Sequence, residues 1–414
     1  MTQNTPQIHI IGAGISGLIA AQVLEQQGYA PTIIEATNRA GGRVKTDSVE
    51  GYQLDRGFQV LLTAYPYAKK YLDFEALSLQ PFLPGAVIFR NGKQITIGDP
   101  LRKLSLLFPT LFAKVGNFSD KLRILRLNNA LKTKSLEEIF TTPETTTQQY
   151  LEEKGFSAPM ITDFFKPFFS GIFLEPDLAT SSRMFEFVYK MFGSGYAALP
   201  KAGIEAISQQ LVSRLQKTTF LFNTRVEKVE EGRIICEGDK IIESDYTVIA
   251  TAPHKLLPQA TSKKIAWKRC DALYFEINQR NIQPPIIGLV ADKEALINNV
   301  FYHTSLAMAT KGGKELLSVT VVKPHTLPLT DLIKKVEEEQ ALYCNIKGGR
   351  FITHYAIEQA LPQLEGLQNA LQPGATQQTE TIFLAGDYLL NASLNAAMVA
   401  GEQAALDIVA TLKK

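Results

Sequence analysis

The feature that most limits what this chain can fold into lies within its first 35 residues. Ile8-His9-Ile10-Ile11 runs directly into Gly12-Ala13-Gly14-Ile15-Ser16-Gly17, and an acid, Glu35, stands 18 residues after the last of these glycines. Four apolar or near-apolar residues in a row suit a buried parallel strand, the glycines permit a tight turn, and the apolar-periodic stretch Ile15 to Leu24 suits a helix. Gly28 is placed to end that helix, and Pro31-Thr32-Ile33-Ile34 reads as a second strand that delivers Glu35. The order is that of a βαβ dinucleotide site. Unpaired N–H groups and the positive dipole end of the helix favour a pyrophosphate, and Gly14 lacks the Cβ that would hold the phosphate away. Glu35 can accept both ribose hydroxyl hydrogens and repels a 2′-phosphate. A purely structural strand-turn-helix is the competing reading, and the ordered context argues against it.

The residues after Glu35 separate a flavin from a nicotinamide. The run Glu35-Ala36-Thr37-Asn38-Arg39-Ala40-Gly41-Gly42-Arg43 resembles the second motif of the flavin-dependent amine oxidase superfamily, which includes protoporphyrinogen oxidases and plant-type carotenoid desaturases. Further segments resemble the family in the same order. These are Gly51 to Val60, Leu199-Pro200-Lys201-Ala202-Gly203, Asn223 to Val226, Tyr246 to Pro253, and Ile382-Phe383-Leu384-Ala385-Gly386-Asp387 with a helix from Ser393 to Ala405. The resemblance implies non-covalently held FAD, since no cysteine lies after Cys344 to attach a flavin. The motif and the resemblance together mark the cofactor contacts. They are Gly12, Gly14, Ile15, Ser16 and Gly17 in the first turn, and Glu35, Ala36, Gly42 and Arg43 in the second motif. Gly57, Phe58, Gln59 and Val60 would pass beside the isoalloxazine, and Val226 and Ala252 would contribute backbone. At the chain's end Gly386 and Asp387 would reach the ribityl hydroxyls, with Leu394, Asn395, Ala396 and Ala397 presenting a helix N-terminus to the flavin O2 side.

The implied fold is α/β, a Rossmann-like FAD-binding domain with an interleaved α+β substrate domain of mixed sheet and helices. Residues 1–80, 196–253 and 377–414 would form the cofactor domain, and 81–195 with 254–376 the substrate domain. A chain of 414 residues with 45% hydrophobic content is long enough for two cores. The first insertion reads as helices (Leu101 to Phe112, Asp120 to Leu131, Thr147 to Lys154, Ala158 to Phe169), and the second as strands, including Asp271 to Ile277 and Leu316 to Val322, with helices on one side of the sheet.

Composition excludes more than it assigns. With 43 basic against 41 acidic residues there is no general attraction for nucleic acid. Three cysteines without a C-x-x-C spacing and five scattered histidines give no metal motif, and the cysteine usage points to a reducing, cytoplasmic setting. No targeting segment is read before the first strand, and no apolar run of about 18 residues spans a bilayer. Leu101 to Lys134 holds eight basic residues against one acid, Asp120, interleaved with leucine and phenylalanine. That is the composition of an interfacial helix as well as of a solvated basic face, so peripheral contact with an inner membrane surface is an open expectation.

The phenylalanines at 164, 165, 168, 169, 173, 185, 187 and 192, with Tyr189, suit either an apolar pocket or a core. The lysine that amine-oxidising family members place on a strand near the flavin is missing from Cys270-Asp271-Ala272-Leu273-Tyr274-Phe275, Lys268 being nearest. An aromatic cage position falls on Ser393, leaving Tyr355 alone, and neither Tyr355 nor His303 is given a catalytic role. The resemblance therefore implies an FAD-dependent oxidoreductase that moves a hydride from a substrate C–H to flavin N5, by carbon–carbon dehydrogenation of an apolar substrate. The alternatives are an amine oxidase acting on a small amine and, in another class, a non-catalytic binding protein of the GDP-dissociation-inhibitor kind. Substrate, electron acceptor and oligomeric state are not fixed by the sequence.

Overall fold

A parallel sheet of five strands collects segments from both ends of the chain, in the order Thr219–Leu221, Thr32–Ile34, Ile8–Ile11, Tyr246–Ile249, Ile382–Leu384. The computed structural model describes residues 6–98, 115–257, 264–310 and 312–413. Because both faces of the sheet are covered, all four residues of the central strand are buried. Its one polar member, His9, is buried, with Nδ1 2.9 Å from Ser244 Oγ.

On one face the first helix, Ile15–Gln26, packs against the last, Leu394–Leu412. The approach depends on glycine: a Cβ at Gly401 would lie 2.2 Å from the Ser16 carbonyl oxygen. Gly28 comes just after the first helix at φ +95°, and the Tyr29 N–H returns to the Leu24 carbonyl, closing the helix end. The other face is covered by a three-stranded meander, Val226–Glu230, Arg233–Cys236 and Lys240–Glu243. Its Val229, Ile234 and Cys236 pack on Ile11, Ile34, Ile249 and Leu384.

The second sheet has seven strands in the order Arg350–Gln363, Ala266–Ile277, Glu315–Val321, Ile297–Tyr302, Ile287–Val290, Gly85–Arg90, Lys93–Gly98. All its pairs are antiparallel except Ile287–Val290 with Gly85–Arg90. The reading of the first insertion as helical is corrected here, since it opens with a hairpin, Gly85–Arg90 to Lys93–Gly98. Its turn is Asn91-Gly92, both at positive φ, the pair that matches strand twist in a tight hairpin.

Period-two alternation divides the residues of this sheet. Leu273, Phe275, Val300, Leu317 and Val319 face the helix Leu329–Tyr343 through Leu332 and Val336. Asn299 and Thr320 fall on the opposite phase, where the helices of the first insertion lie across a cavity. Helical structure thus covers both faces rather than one.

The expected helices at 120–131 and 147–154 are Phe118–Thr133 and Thr147–Glu153. The helix expected over Ala158 to Phe169 is broken instead into Ala158–Met160, a π turn Ile161–Phe165, and Lys166–Phe173. Pro167 has no N–H to give the Asp163 carbonyl, and the turn before it widens. The helix expected at Leu101 to Phe112 lies outside the described residues. Among the described residues no helix is long and apolar enough to cross a membrane.

Candidate cofactor and substrate site

A cavity of about 1970 Å³ runs between the parallel sheet, the seven-stranded sheet and the helices of the first insertion. At one end it meets the first βα turn. Gly12 takes φ +104° while its N–H donates to the Ile34 carbonyl at 2.8 Å. Gly14 caps the adjoining helix with no side-chain hydrogen bond, so the N–H groups of Ile15, Ser16 and Gly17 have no intrahelical acceptor. Gly41 donates to the Ala13 carbonyl at 2.8 Å, laying the second motif against the first. A Cβ at Gly42 would stand 3.1 Å from Gly14 Cα, so backbone meets backbone there.

Glu35 is buried and fixed. One carboxylate oxygen accepts the Ala13 N–H at 2.9 Å, and the other accepts the Thr37 N–H at 2.9 Å and lies 2.7 Å from the Thr37 hydroxyl. A carboxylate has about four lone-pair sites, so acceptor capacity remains toward the cavity that Glu35 lines. Arg43 Nη2 lies 2.6 Å from Asp387 Oδ1, its guanidinium carbon 5.4 Å from the Trp267 ring centroid, and its Nη1 donates to the Ala360 carbonyl. The pair joins the second motif to the chain's end, with Asp387 almost fully buried. Ser393 is the N-cap of the last helix, its hydroxyl oxygen accepting the Ala396 N–H at 3.0 Å and donating to Asn391.

The cavity brings together Gly12, Gly14, Ile15, Ser16, Glu35, Gly42, Arg43, Gly57, Phe58, Gln59, Val60, Ala252, Gly386, Asp387, Leu394 and Ala397. Five marked residues do not line it. Gly17 sits where a Cβ would lie 2.1 Å from the Gly12 carbonyl oxygen, which is a packing requirement. Asn395 turns its side chain to accept the Tyr67 N–H, and Ala396 is fully buried against Leu390 and Val399. Val226 starts the meander, and Ala36 is exposed beside the second strand.

Beyond this end the cavity is apolar. Phe164, Phe168, Phe173, Tyr189 and Phe192 line it, whereas Phe165, Phe169, Phe185 and Phe187 pack in the core behind them. The floor is the seven-stranded sheet, with Lys268, Cys270, Asn299, Thr320, Tyr355 and Ile357. The sequence reading missed Trp267, Asn299 and Thr320. The signal that could have found the last two was a polar residue on the inward phase of an otherwise apolar strand. Lys268 Nζ donates to the Phe173 carbonyl at 3.0 Å and to Thr180 Oγ1 at 2.8 Å, tying the helical wall to the sheet, and burial lowers its pKa.

Tyr355 gives its hydroxyl to Asp47 at 3.0 Å. Burial works against the charge on Asp47, but Arg56, Arg39 and Tyr355 outweigh it and bring its pKa to about 2. His303 lies behind Phe58, its Nε2 3.0 Å from Ser318 Oγ, and burial lowers its pKa to about 4. Among the described residues no group of three or more histidines, cysteines or acids could hold a metal ion.

The family model for flavin containing amine oxidoreductases matches residues 15–343, most of the chain. The chain belongs to that family. The family's description is of flavin-containing oxidoreductases. An L-amino-acid oxidase of Protobothrops flavoviridis is 25% identical over 279 residues, covering 60% of this chain and 52% of its own length. The chain spans about half the length of the curated relatives it matches. The fold is shared with putrescine oxidase bound to putrescine, at TM-score 0.69 and 17% identity over 98% of this chain and 99% of that one. It is shared equally with a protein of Exiguobacterium sp. 255-15 described as a protoporphyrinogen oxidase, at TM-score 0.70 and 16% identity over 99% and 100% of the two chains. At these identities the likeness shows the fold alone.

Proposed function

We propose that this family member holds FAD without a covalent bond and oxidises a C–H of an apolar substrate, forming a carbon–carbon double bond. The observation that carries the proposal is one continuous cavity, with a dinucleotide-type cradle at one end and an aromatic wall at the other. The cradle fits FAD. Glu35 would accept the adenosine ribose hydroxyls, the uncapped N–H groups after Gly14 and the charge of Arg43 would meet the diphosphate, and Asp387 would accept from the ribityl chain. Gly57, at φ +95°, keeps that stretch of backbone free of a Cβ. FAD, when bound, supplies a two-electron acceptor for a hydride leaving a substrate carbon.

The chain's own residues would position the substrate and keep water out. Phe164, Phe168, Phe173, Tyr189 and Phe192 offer rings to an apolar body, and ring burial is worth about 1.5–3 kcal/mol each. Closing the double bond also releases a proton from the neighbouring carbon, and with the Tyr355 hydroxyl given to Asp47 and the buried His303 made a weak base, that proton passes to solvent at the cavity mouth. Cys270 lines the floor, but burial pushes its thiol up to about 12, which supports a non-covalent cofactor.

Amine oxidation is the second reading, favoured by the named activities of the L-amino-acid and putrescine oxidase relatives. Against it stand the small Ser393 at the cage position and the commitment of Lys268 to Phe173 and Thr180. Anaerobic mixing of the purified protein with carotenes, porphyrinogens and amines separates the two. Bleaching of the flavin spectrum by a carotene or porphyrinogen is expected, and bleaching by primary amines or polyamines alone overturns the dehydrogenase reading.

A further inference from the structure

The helix Phe118–Thr133 forms part of the cavity mouth, and its two faces differ in kind. At about 100° per residue, Asp120, Leu127 and Leu131 point one way, and all three are buried. Phe118, Leu122 and Leu125 point the opposite way and are 70%, 43% and 44% exposed. These three large apolar side chains also line the mouth, so the exposed stripe is continuous with the apolar interior. Tyr196, 53% exposed, adds a further ring to the same rim.

The charges are arranged around the stripe. By the same angular arithmetic Arg126 flanks it on one side and Lys121 and Lys132 on the other, while the helix's only acid, Asp120, is buried as a capping-box residue. Apolar side chains projecting between flanking cations match an anionic bilayer, where hydrocarbon takes the stripe and headgroups take the charges. A protein partner would have to present an acidic rim around an apolar centre. The continuity of the stripe with the cavity favours lipid, because a substrate dissolved in the bilayer then reaches the aromatic wall without crossing water.

We infer that Phe118–Thr133 docks the protein on an anionic lipid surface with the cavity mouth facing the bilayer. Only the direction of substrate access rests on the proposed function. The docking is tested by binding alone and stands or falls separately.

The test is co-sedimentation of the full chain with vesicles of phosphatidylcholine, with and without about one third phosphatidylglycerol. Binding to the anionic vesicles is expected, with a loss of about fivefold for each cation removed in Arg126→Gln and Lys132→Gln, and weakening in high salt. The combined Phe118→Ser, Leu122→Ser, Leu125→Ser protein should lose binding by tenfold or more at an unchanged melting temperature. Because the charge variants keep the apolar face, they test the surface even if the triple variant folds poorly. Equal binding by the triple variant, equal binding to neutral vesicles, or no binding to either overturns the inference. So does a wild-type dimer that becomes a monomer in the triple variant, since a second copy would then own the face.

Discussion

Replacing Glu35 with glutamine changes one atom type at the point where the cradle and the adenosine half of FAD would meet. In the protein alone, the carboxylate accepts N–H groups from Ala13 and Thr37, both at 2.9 Å. A carboxamide can accept only through its oxygen, so its NH2 faces one of those donors. Leaving a buried donor unpaired costs about 1–3 kcal/mol, and the variant should melt earlier by that amount with or without cofactor. The same loss occurs in the free and loaded protein, so it cancels in the binding constant. The remainder is loss of a charged acceptor for the ribose hydroxyls, worth about 1.5–3 kcal/mol, or about 10- to 150-fold in Kd. The assay is titration of flavin-free protein, monitored by flavin fluorescence. FMN, which lacks the adenosine half, is the internal control and should bind the two proteins alike. A change of less than about twofold for FAD, or an equal loss for FMN, would refute the placement of the ribose at Glu35.

Three further outcomes rest on the packing and the charges. Gly17→Ala places a Cβ 2.1 Å from the Gly12 carbonyl oxygen and should cost about 1–3 kcal/mol in urea unfolding, with an unchanged midpoint counting against the observed turn. Asp55 is fully buried, and burial raises its pKa to about 6 from 3.8, with Oδ1 accepting from Thr46 and Ile204 and Oδ2 unpartnered. The ionised form is penalised only in the folded protein, so the stabilising contribution is complete below about pH 4 and is lost as pH rises through about 6. Asp55→Asn should therefore gain stability over the parent on going from pH 4 to pH 8, by about 2.5 kcal/mol. Melting curves of both proteins at the two pH values decide this, and parallel curves would contradict it. Lys268→Met should lower stability by about 1–3 kcal/mol through the unpaired Phe173 carbonyl and Thr180 hydroxyl, yet slow anaerobic flavin reduction less than tenfold. A loss of a hundredfold or more would make Lys268 part of the chemistry.

The cofactor end was legible in the sequence because local rules govern it. Strand, glycine turn, helix and terminal acid occur consecutively, and each residue type has one physical reason to stand there. Gly12, Gly14, Gly28 and Glu35 declare themselves in this way, whereas Gly41 and Gly42 were marked through resemblance. Arg43 and Asp387 were each marked only through resemblance, and their pairing across 344 positions was not foreseen, because no local pattern encodes so distant a contact. The hairpin at 85–98 was legible and passed over. Asn91-Gly92 between alternating residues is a strong short-range signal, hidden by the helical spacing that comes after it. Division of the phenylalanines between wall and core could not be read, since burial and lining need the same residue type. Lys268 illustrates the same limit, for a lysine's role is set by what its ammonium meets, here a carbonyl and a hydroxyl 95 and 88 residues away in sequence.

The central claim is that widely separated stretches of this chain converge to hold one FAD. Denaturing the purified yellow protein with acid, then separating the supernatant by chromatography against FAD and FMN standards, tests it most directly. FAD is expected in solution at about one per chain, with a colourless pellet. Released FMN, a flavin that stays with the precipitated chain, or protein isolated without any flavin and unable to take up FAD would contradict it.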